Sequence, residues 1–282
     1  KIFVTNIAQR CIAIITMIDL PHELTSSDYA GAGEARDKVL TRLNRFAIDW
    51  AAAAVQDYAI PKGYFQRAGK INAAASDVGM RANASYAAHL AALNEPHEML
   101  DAKAMREITG SAYYKGGLFT PGTAMLQPAG YIRGLAEGLD RDGVTILERS
   151  PVLRFEAVAA GWRLQGQDGS VTAAKVILAN NGHLESFGFK QGRLMHIMLN
   201  ACMTEEIPAD ALRALGGHDT WGATPADPMG ATVRRVSTAQ GGNRIVIRQG
   251  GYYRPDMQTS AADLARVTRK MREKFEARFP AL

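Results

Sequence analysis

The sequence predicts an α/β (α+β) protein built from two interleaved domains, and three patterns lead there. Between Glu34 and Tyr58, apolar residues Val39, Leu43, Phe46, Trp50, Ala54 and Tyr58 recur at three- and four-residue steps, the period of an amphipathic helix. Between Gln127 and Ala179 a helical pattern passes into two strands, a hairpin and a continuous apolar run. The last third alternates short strands with helices around glycine-rich turns, so a sheet with helices follows an α/β portion.

The individual elements have local causes. Pro61 and Gly63 end the first helix. Ser76 fits the N-cap of a second helix carrying Met80, Tyr86 and Leu90, and Asp101 caps a short third one. Pro128 suits the first turn of a helix bearing Tyr131, Ile132, Leu135 and Leu139, and Gly143 closes it. Strands follow at Val144 to Leu147 and Val152 to Val158. Trp162 to Leu164 and Val171 to Ala173 then flank the turn Gln167-Asp168-Gly169-Ser170, a β-hairpin. Lys175 to Ala179 reads as a fully buried strand. It ends at Asn180-Asn181-Gly182, residues that tolerate unusual backbone angles. Further on, Leu194 to Thr204 is strand-like, and Pro208 to Leu215 forms a helix stopped by Gly216-Gly217. Thr232 to Thr238 and Asn243 to Gln249 pair as antiparallel strands. A final helix sets Leu264, Val267, Met271, Phe275 and Phe279 on one face.

Composition narrows the function classes. With 47% hydrophobic and 22% charged residues over 282 positions, the chain has enough apolar material for a large core and is not disordered. The net charge of +5 is scattered. Short basic groups such as Arg234-Arg235 and Arg269-Lys270 alternate with apolar positions and read as solvated faces, so no nucleic-acid partner is expected. Cys11 and Cys202 each sit in an apolar stretch without ligand spacing, which predicts buried thiols and neither metal nor disulfide. Cys11 to Ile18 is too short to span a bilayer and lacks a small-residue cleavage pattern. A soluble, cytoplasmic protein without a membrane span is the expectation.

Several motifs, in this order, resemble one family. They are Leu126-Gln127-Pro128-Ala129-Gly130-Tyr131 leading into a helix, Gly143-Val144-Thr145-Ile146, Ser150-Pro151-Val152, and Ala174 to Gly182. Together they resemble the FAD-dependent oxidoreductases of the D-amino-acid oxidase and glycine oxidase type, over about residues 17–282. A subgroup related to γ-glutamylputrescine oxidoreductase is similar also at Ile18-Asp19-Leu20-Pro21-His22 and at Asn181 to Phe189. The resemblance implies an incomplete FAD-binding Rossmann-like domain interleaved with an antiparallel-sheet substrate domain. Residues 1–60 and 113–190 would belong to the first, 61–112 and 191–282 to the second. It further implies FAD as cofactor, contacted by the Val152 backbone on its adenine side. Ala179, Asn180, Asn181 and Gly182 would line it near the phosphates and ribose. The family's dinucleotide fold opens on G-x-G-x-x-G; here the first glycine is Gly31 and no such loop follows. Either the chain is truncated, with the fingerprint before Lys1 and the flavin-closing segment after Leu282, or its nucleotide site is degenerate.

The activity that the resemblance implies is oxidation of the C–N bond of an amine or amino acid to an imine, by hydride transfer to flavin. Such chemistry needs a positioned, desolvated substrate and few acid–base residues, and the six histidines indeed form no triad or metal pattern. His22 falls where the resemblance passes near the flavin ring. Arg248, Tyr252 and Tyr253 end a predicted substrate-domain strand, where an arginine pairs with a carboxylate and a tyrosine closes a pocket. Each also fits a plain structural role. His183, Glu185, Trp221 and Met229 are weaker candidates of the same kind, and His196 reads as a core histidine. Two other readings stay open on sequence alone: an inactive scaffold of this fold that holds no FAD, and a flavin monooxygenase.

Overall fold

The computed structural model describes residues 2–5, 15–21, 34–195, 197–255 and 258–282. In chain order the elements begin with β1 (Ile2–Thr5), β2 (Ile15–Met17), α1 (Glu34–Asp57), β3 (Phe65–Gln66), β4 (Lys70–Ala74) and α2 (Asp77–Ala92). Next come β5 (Glu98–Asp101), α3 (Ala102–Thr109), β6 (Gly116–Thr120), β7 (Ala124–Leu126), α4 (Pro128–Arg141) and β8 (Thr145–Glu148). Then β9 (Arg154–Val158), β10 (Gly161–Gln165), β11 (Ser170–Ala173), β12 (Ile197–Met203) and α5 (Ala209–Leu215) follow. The chain finishes with β13 (Trp221–Pro225), β14 (Thr232–Val236), β15 (Arg244–Tyr253) and α6 (Ala261–Arg278). These form two compact units, one of residues 1–11, 136–198 and 252–258, the other of 12–135, 199–251 and 259–282.

In the first unit β1 runs parallel to β8, with Ile2 opposite Thr145. The antiparallel meander β9–β10–β11 includes the hairpin expected around Asp168-Gly169. Phe155 on β9 gathers Trp162, Phe187 and Phe189 at ring separations of 5.5, 5.4 and 5.7 Å, a small aromatic core under the meander. Lys175 to Ala179, expected as a buried strand, forms no regular element, and Ile177 is 83% exposed. An apolar run becomes a buried strand only when a neighbour pairs its backbone, and among the described residues β1 pairs with β8 alone.

The second unit centres on a seven-stranded sheet of order β12-β15-β14-β13-β4-β6-β5. All the registered pairs are antiparallel except β4 with β13, where Asn72 lies opposite Thr224. One face is apolar: Ile71, Ala73, Leu100, Trp221, Ala223, Val233, Ile245 and Ile247 pack beneath Met105 of α3 and Met271 of α6, with Leu212 of α5 beside them. Burying each of the isoleucine, leucine, valine and methionine side chains stabilises the fold by about 1.5–3 kcal/mol, making this face the main core. The α2 cap is as expected: Ser76 Oγ accepts from Gly79 N at 3.2 Å, while the Asp227 carboxylate accepts from Ala75 N at 2.7 Å and from Ser76 Oγ. Asp101 caps α3 through Ala104 N at 2.8 Å.

A smaller sheet, β2-β7-β3, lies with α1 and α4. Helix α1 forms where periodicity places it, but the expected stripe divides: Ala54 and Tyr58 pack inward, while Val39, Leu43, Phe46 and Trp50 face outward. Thr41, Ile48, Ala51, Ala54 and Val55 are buried, and the Val39–Trp50 stripe is turned outward. Small side chains let neighbouring elements come close: Tyr131 Oη of α4 donates to the Ala51 carbonyl at 3.0 Å.

Candidate functional site

The opposite face of the seven-stranded sheet carries a row of polar side chains set among apolar Leu118 and Val246. Partners in a β-ladder share a face, so the registers place Lys70, Asn72, Thr120, Thr224, Thr232, Arg234 and Arg248 together, across β6, β4, β13, β14 and β15. Lys70 is buried and donates to Asn72 Oδ1 at 2.8 Å; Thr224 Oγ1 donates to the same oxygen at 2.9 Å. The Asn72 carbonyl accepts from Asn83 Nδ2 of α2 at 2.8 Å. Burial lowers the Lys70 pKa to about 8, with Asp19 opposing the shift and Arg234 adding to it. Burial likewise lowers Arg234 to about 10, helped by the nearby Arg248. Gly222 sits between strands where a side chain would meet the Arg234 guanidinium and Met125 Sδ, each at 2.9 Å. Arg248 differs from both buried cations. It is exposed, and its Nη2 reaches Thr232 Oγ1 at 3.4 Å.

Alternation with apolar positions predicts a solvated Arg234-Arg235 pair, but in the structure both side chains are buried. Adjacent strand residues point to opposite faces, and β14 has neighbours on both edges, so both arginines are buried. Arg235, on the apolar side, donates to the Gly216 carbonyl at 2.6 Å. Lys70, Asn72 and Arg234 carry little sequence signal as site residues: Lys70 and Asn72 interrupt the short run Lys70–Ala74, and Arg234 stands beside a second arginine in Thr232–Val236.

The segment leading to His22 is held firmly. Asp19 is buried, accepting from Thr123 Oγ1 at 3.1 Å and from Arg45 Nη2 at 3.1 Å. Arg45 also reaches Glu95 at 2.5 Å, and these carboxylates hold its pKa above the ordinary value, Glu95 most. A side chain at Gly122 would stand 2.0 Å from Asp19 Oδ2, so this turn requires glycine. Tyr86 Oη donates to the Pro21 carbonyl at 3.2 Å. His22 and His196 lie outside the described residues.

In the first unit Val152 is half-buried beside Leu153, whose N–H donates to Gln165 O at 2.9 Å. Asn180 is the unusual residue there. Both polar atoms of its side chain are buried and meet no hydrogen-bond partner, a state folded proteins rarely leave uncompleted. Asn181 takes the left-handed conformation at φ 52°, and its turn is closed by His183 N donating to Asn180 O at 3.2 Å. Glu185 Oε1 accepts from Gly192 N at 2.9 Å. Tyr252 and Tyr253 end strand β15 but belong to the first unit, whereas Arg248 on the same strand belongs to the second. Trp221 packs in the apolar core against Phe279, and Met229 is exposed.

Residues 20–282 match the family described as "DAO: FAD dependent oxidoreductase". The chain belongs to this family. Its fold is similar to that of glycine oxidase from Geobacillus kaustophilus, with a TM-score of 0.66 at 15% identity over 94% of this chain and 66% of that one. L-proline dehydrogenase from P. horikoshii is similar too, with a TM-score of 0.63 at 14% identity over 93% of this chain and 66% of that one. In sequence, the chain is 31% identical over 88 residues to a protein of Haemophilus influenzae called "Probable oxidoreductase OrdL", covering 31% of this chain and 20% of that protein. The chain thus spans just under two-thirds of these structural relatives. The DAO family is FAD-dependent, and the chain has the fold of a flavin-dependent oxidoreductase. Among the described residues no helix is long and apolar enough to cross a membrane.

Proposed function

We propose that this DAO-family protein oxidises the C–N bond of a small amine or amino acid to an imine, with hydride passing to flavin. The observation that carries this reading is the polar sheet face, where Arg248 is the exposed member of a row whose other cations, Lys70 and Arg234, are buried. A buried cationic row raises the local positive potential, and the exposed guanidinium offers a planar fork to a substrate carboxylate. FAD, when bound, supplies the hydride acceptor. The residues fit it at Asn180, whose unsatisfied amide presents a donor and an acceptor to a nucleotide. Ala179, Asn181, Gly182 and the Val152 backbone complete that side in this reading. On the substrate side this reading gives Arg248 the carboxylate, and it keeps Tyr252, Tyr253 and His22 as catalytic candidates to be tested singly. We assign residues 1–60 and 113–190 to cofactor binding, and 61–112 and 191–282 to substrate binding.

The test is flavin binding followed by turnover. Added FAD should raise the melting temperature, and amines alone, without NADPH, should then yield peroxide or reduce an artificial acceptor. Arg248→Met should raise KM about tenfold or more for carboxylate-bearing amines and leave simple amines unchanged, the loss of one charge-assisted pair being worth about 1.5–3 kcal/mol. A protein that stays colourless and gains no thermal stability from FAD defeats the proposal.

A further inference from the structure

Helix α1 carries its largest apolar side chains on the side turned away from the protein. Val39, Leu43, Phe46 and Trp50 are between 47% and 69% exposed. At about 100° per residue they fall within roughly 60° of arc, a straight stripe over more than three turns. Ala35 and Ala53, also exposed, extend it at both ends. With about 150–250 Å² on each aromatic ring, the stripe presents roughly 400–500 Å² of apolar surface, the size at which an exposed patch marks an interaction site.

The charges beside the stripe indicate what covers it. Arg42 and Asp49 stand on the same flank, seven positions apart, on either side of the stripe's midpoint between Asn44 and Arg45. We propose that this face docks a second copy of the chain, α1 against α1 in antiparallel orientation, about a two-fold axis at that midpoint. Such an axis sets Leu43 against Phe46 of the second copy and Val39 against Trp50 of the second copy, pairing a small side chain with a large one each time. It also keeps each flank facing its own equivalent. Arg42 then comes within about 3 Å, along the helix axes, of Asp49 of the second copy, and the pair occurs twice. Asp49 is already bonded to Arg67 of its own chain at 2.5 Å, so the carboxylate is shared between two guanidinium groups. With both stripes covered, the total approaches the ~1,000–1,200 Å² at which stable interfaces begin, which implies a dimer that dissociates in the micromolar range.

Sedimentation velocity of the purified chain, from about 1 to 100 μM, tests this. The expected result is a concentration-dependent monomer–dimer equilibrium that Trp50→Glu abolishes. Arg42→Asp and Asp49→Arg should each weaken dimerisation about tenfold, and the two together should recover part of it, because the swapped pair is again complementary while Arg67 now faces a like charge. A chain that stays monomeric throughout, as when another partner or further chain of its own covers the stripe, overturns the proposal. So does a dimer indifferent to Trp50→Glu, or a double swap no better than the single ones. Circular dichroism and melting of each variant confirm that helix α1 still folds, so a loss of dimer reads on the surface alone.

Discussion

The two faces of the seven-stranded sheet are made by the same strands and behave as opposites. On one, Ile71, Val233, Ile245 and Ile247 meet three helices and form a dry, close-packed core. On the other, Lys70, Asn72 and Arg234 keep amine, amide and guanidinium groups out of water. The first face lowers the free energy of the fold. The second raises it, because buried charges lose hydration that their few hydrogen bonds only partly replace. A fold that carries this cost on one side of its central sheet is arranged for something besides stability, in keeping with the placement of Arg248 at the accessible end of that side.

Substitutions on the two faces should therefore move stability in opposite directions. The largest effect belongs to the apolar side, where Ile245→Ala should destabilise by about 2–5 kcal/mol in chemical denaturation. Lys70→Met should do the reverse and stabilise at neutral pH by about 1–3 kcal/mol. The same contrast is visible in pH dependence. The folded state binds the Lys70 proton less tightly than the unfolded chain does, with a pKa of about 8 against an ordinary 10.5. Its cost to stability is thus complete below about pH 8 and relieved as pH rises toward 10.5. Relative to Lys70→Met, the parent protein should gain about 3 kcal/mol across that window. A parallel course for the two proteins would show that the amine is not desolvated. Gly122→Ala, which drives a methyl group into the Asp19 carboxylate, should cost about 1–3 kcal/mol in the same measurement. Arg248→Met, at the exposed end of the polar row, should change stability by less than about 0.5 kcal/mol while altering substrate affinity.

Local signals explain which parts of this structure could be read from sequence. The caps at Ser76 and Asp101, Pro128 in the first turn of α4, and the Asp168-Gly169 turn act within a few residues, and each element appears where they put it. Helix α1 was legible as a helix but not in its orientation. The rule that large apolar residues face inward gives way where Ala51 and Ala54 allow a close approach and Tyr131 adds a hydrogen bond. The centre of the large sheet was not legible. Lys70-Ile71-Asn72-Ala73-Ala74 is buried on both faces, shows no contrast between buried and exposed sides, and ends in two residues of weak strand preference. For the same reason Lys70 and Arg234 carry no site signal in the sequence, since a charge in a strand ordinarily means water. The Arg248–Tyr253 strand and the Asn180 turn were visible because charged, aromatic and small residues end predicted elements there.

The parallel pairing of β4 with β13 has a consequence for how the protein is made. Asn72 and Thr224, which meet across it, are 152 positions apart. At ribosomal rates of about 5–20 residues per second, the N-terminal strands β4, β6 and β5 wait roughly 10–30 seconds before β13 is available. During that interval the unpaired edge of β4 is a template for any extended strand that arrives first. Its lysine and asparagine, costly in the finished sheet, are then an asset, because a solvated charge on an open edge discourages a neighbouring nascent chain from adding to it.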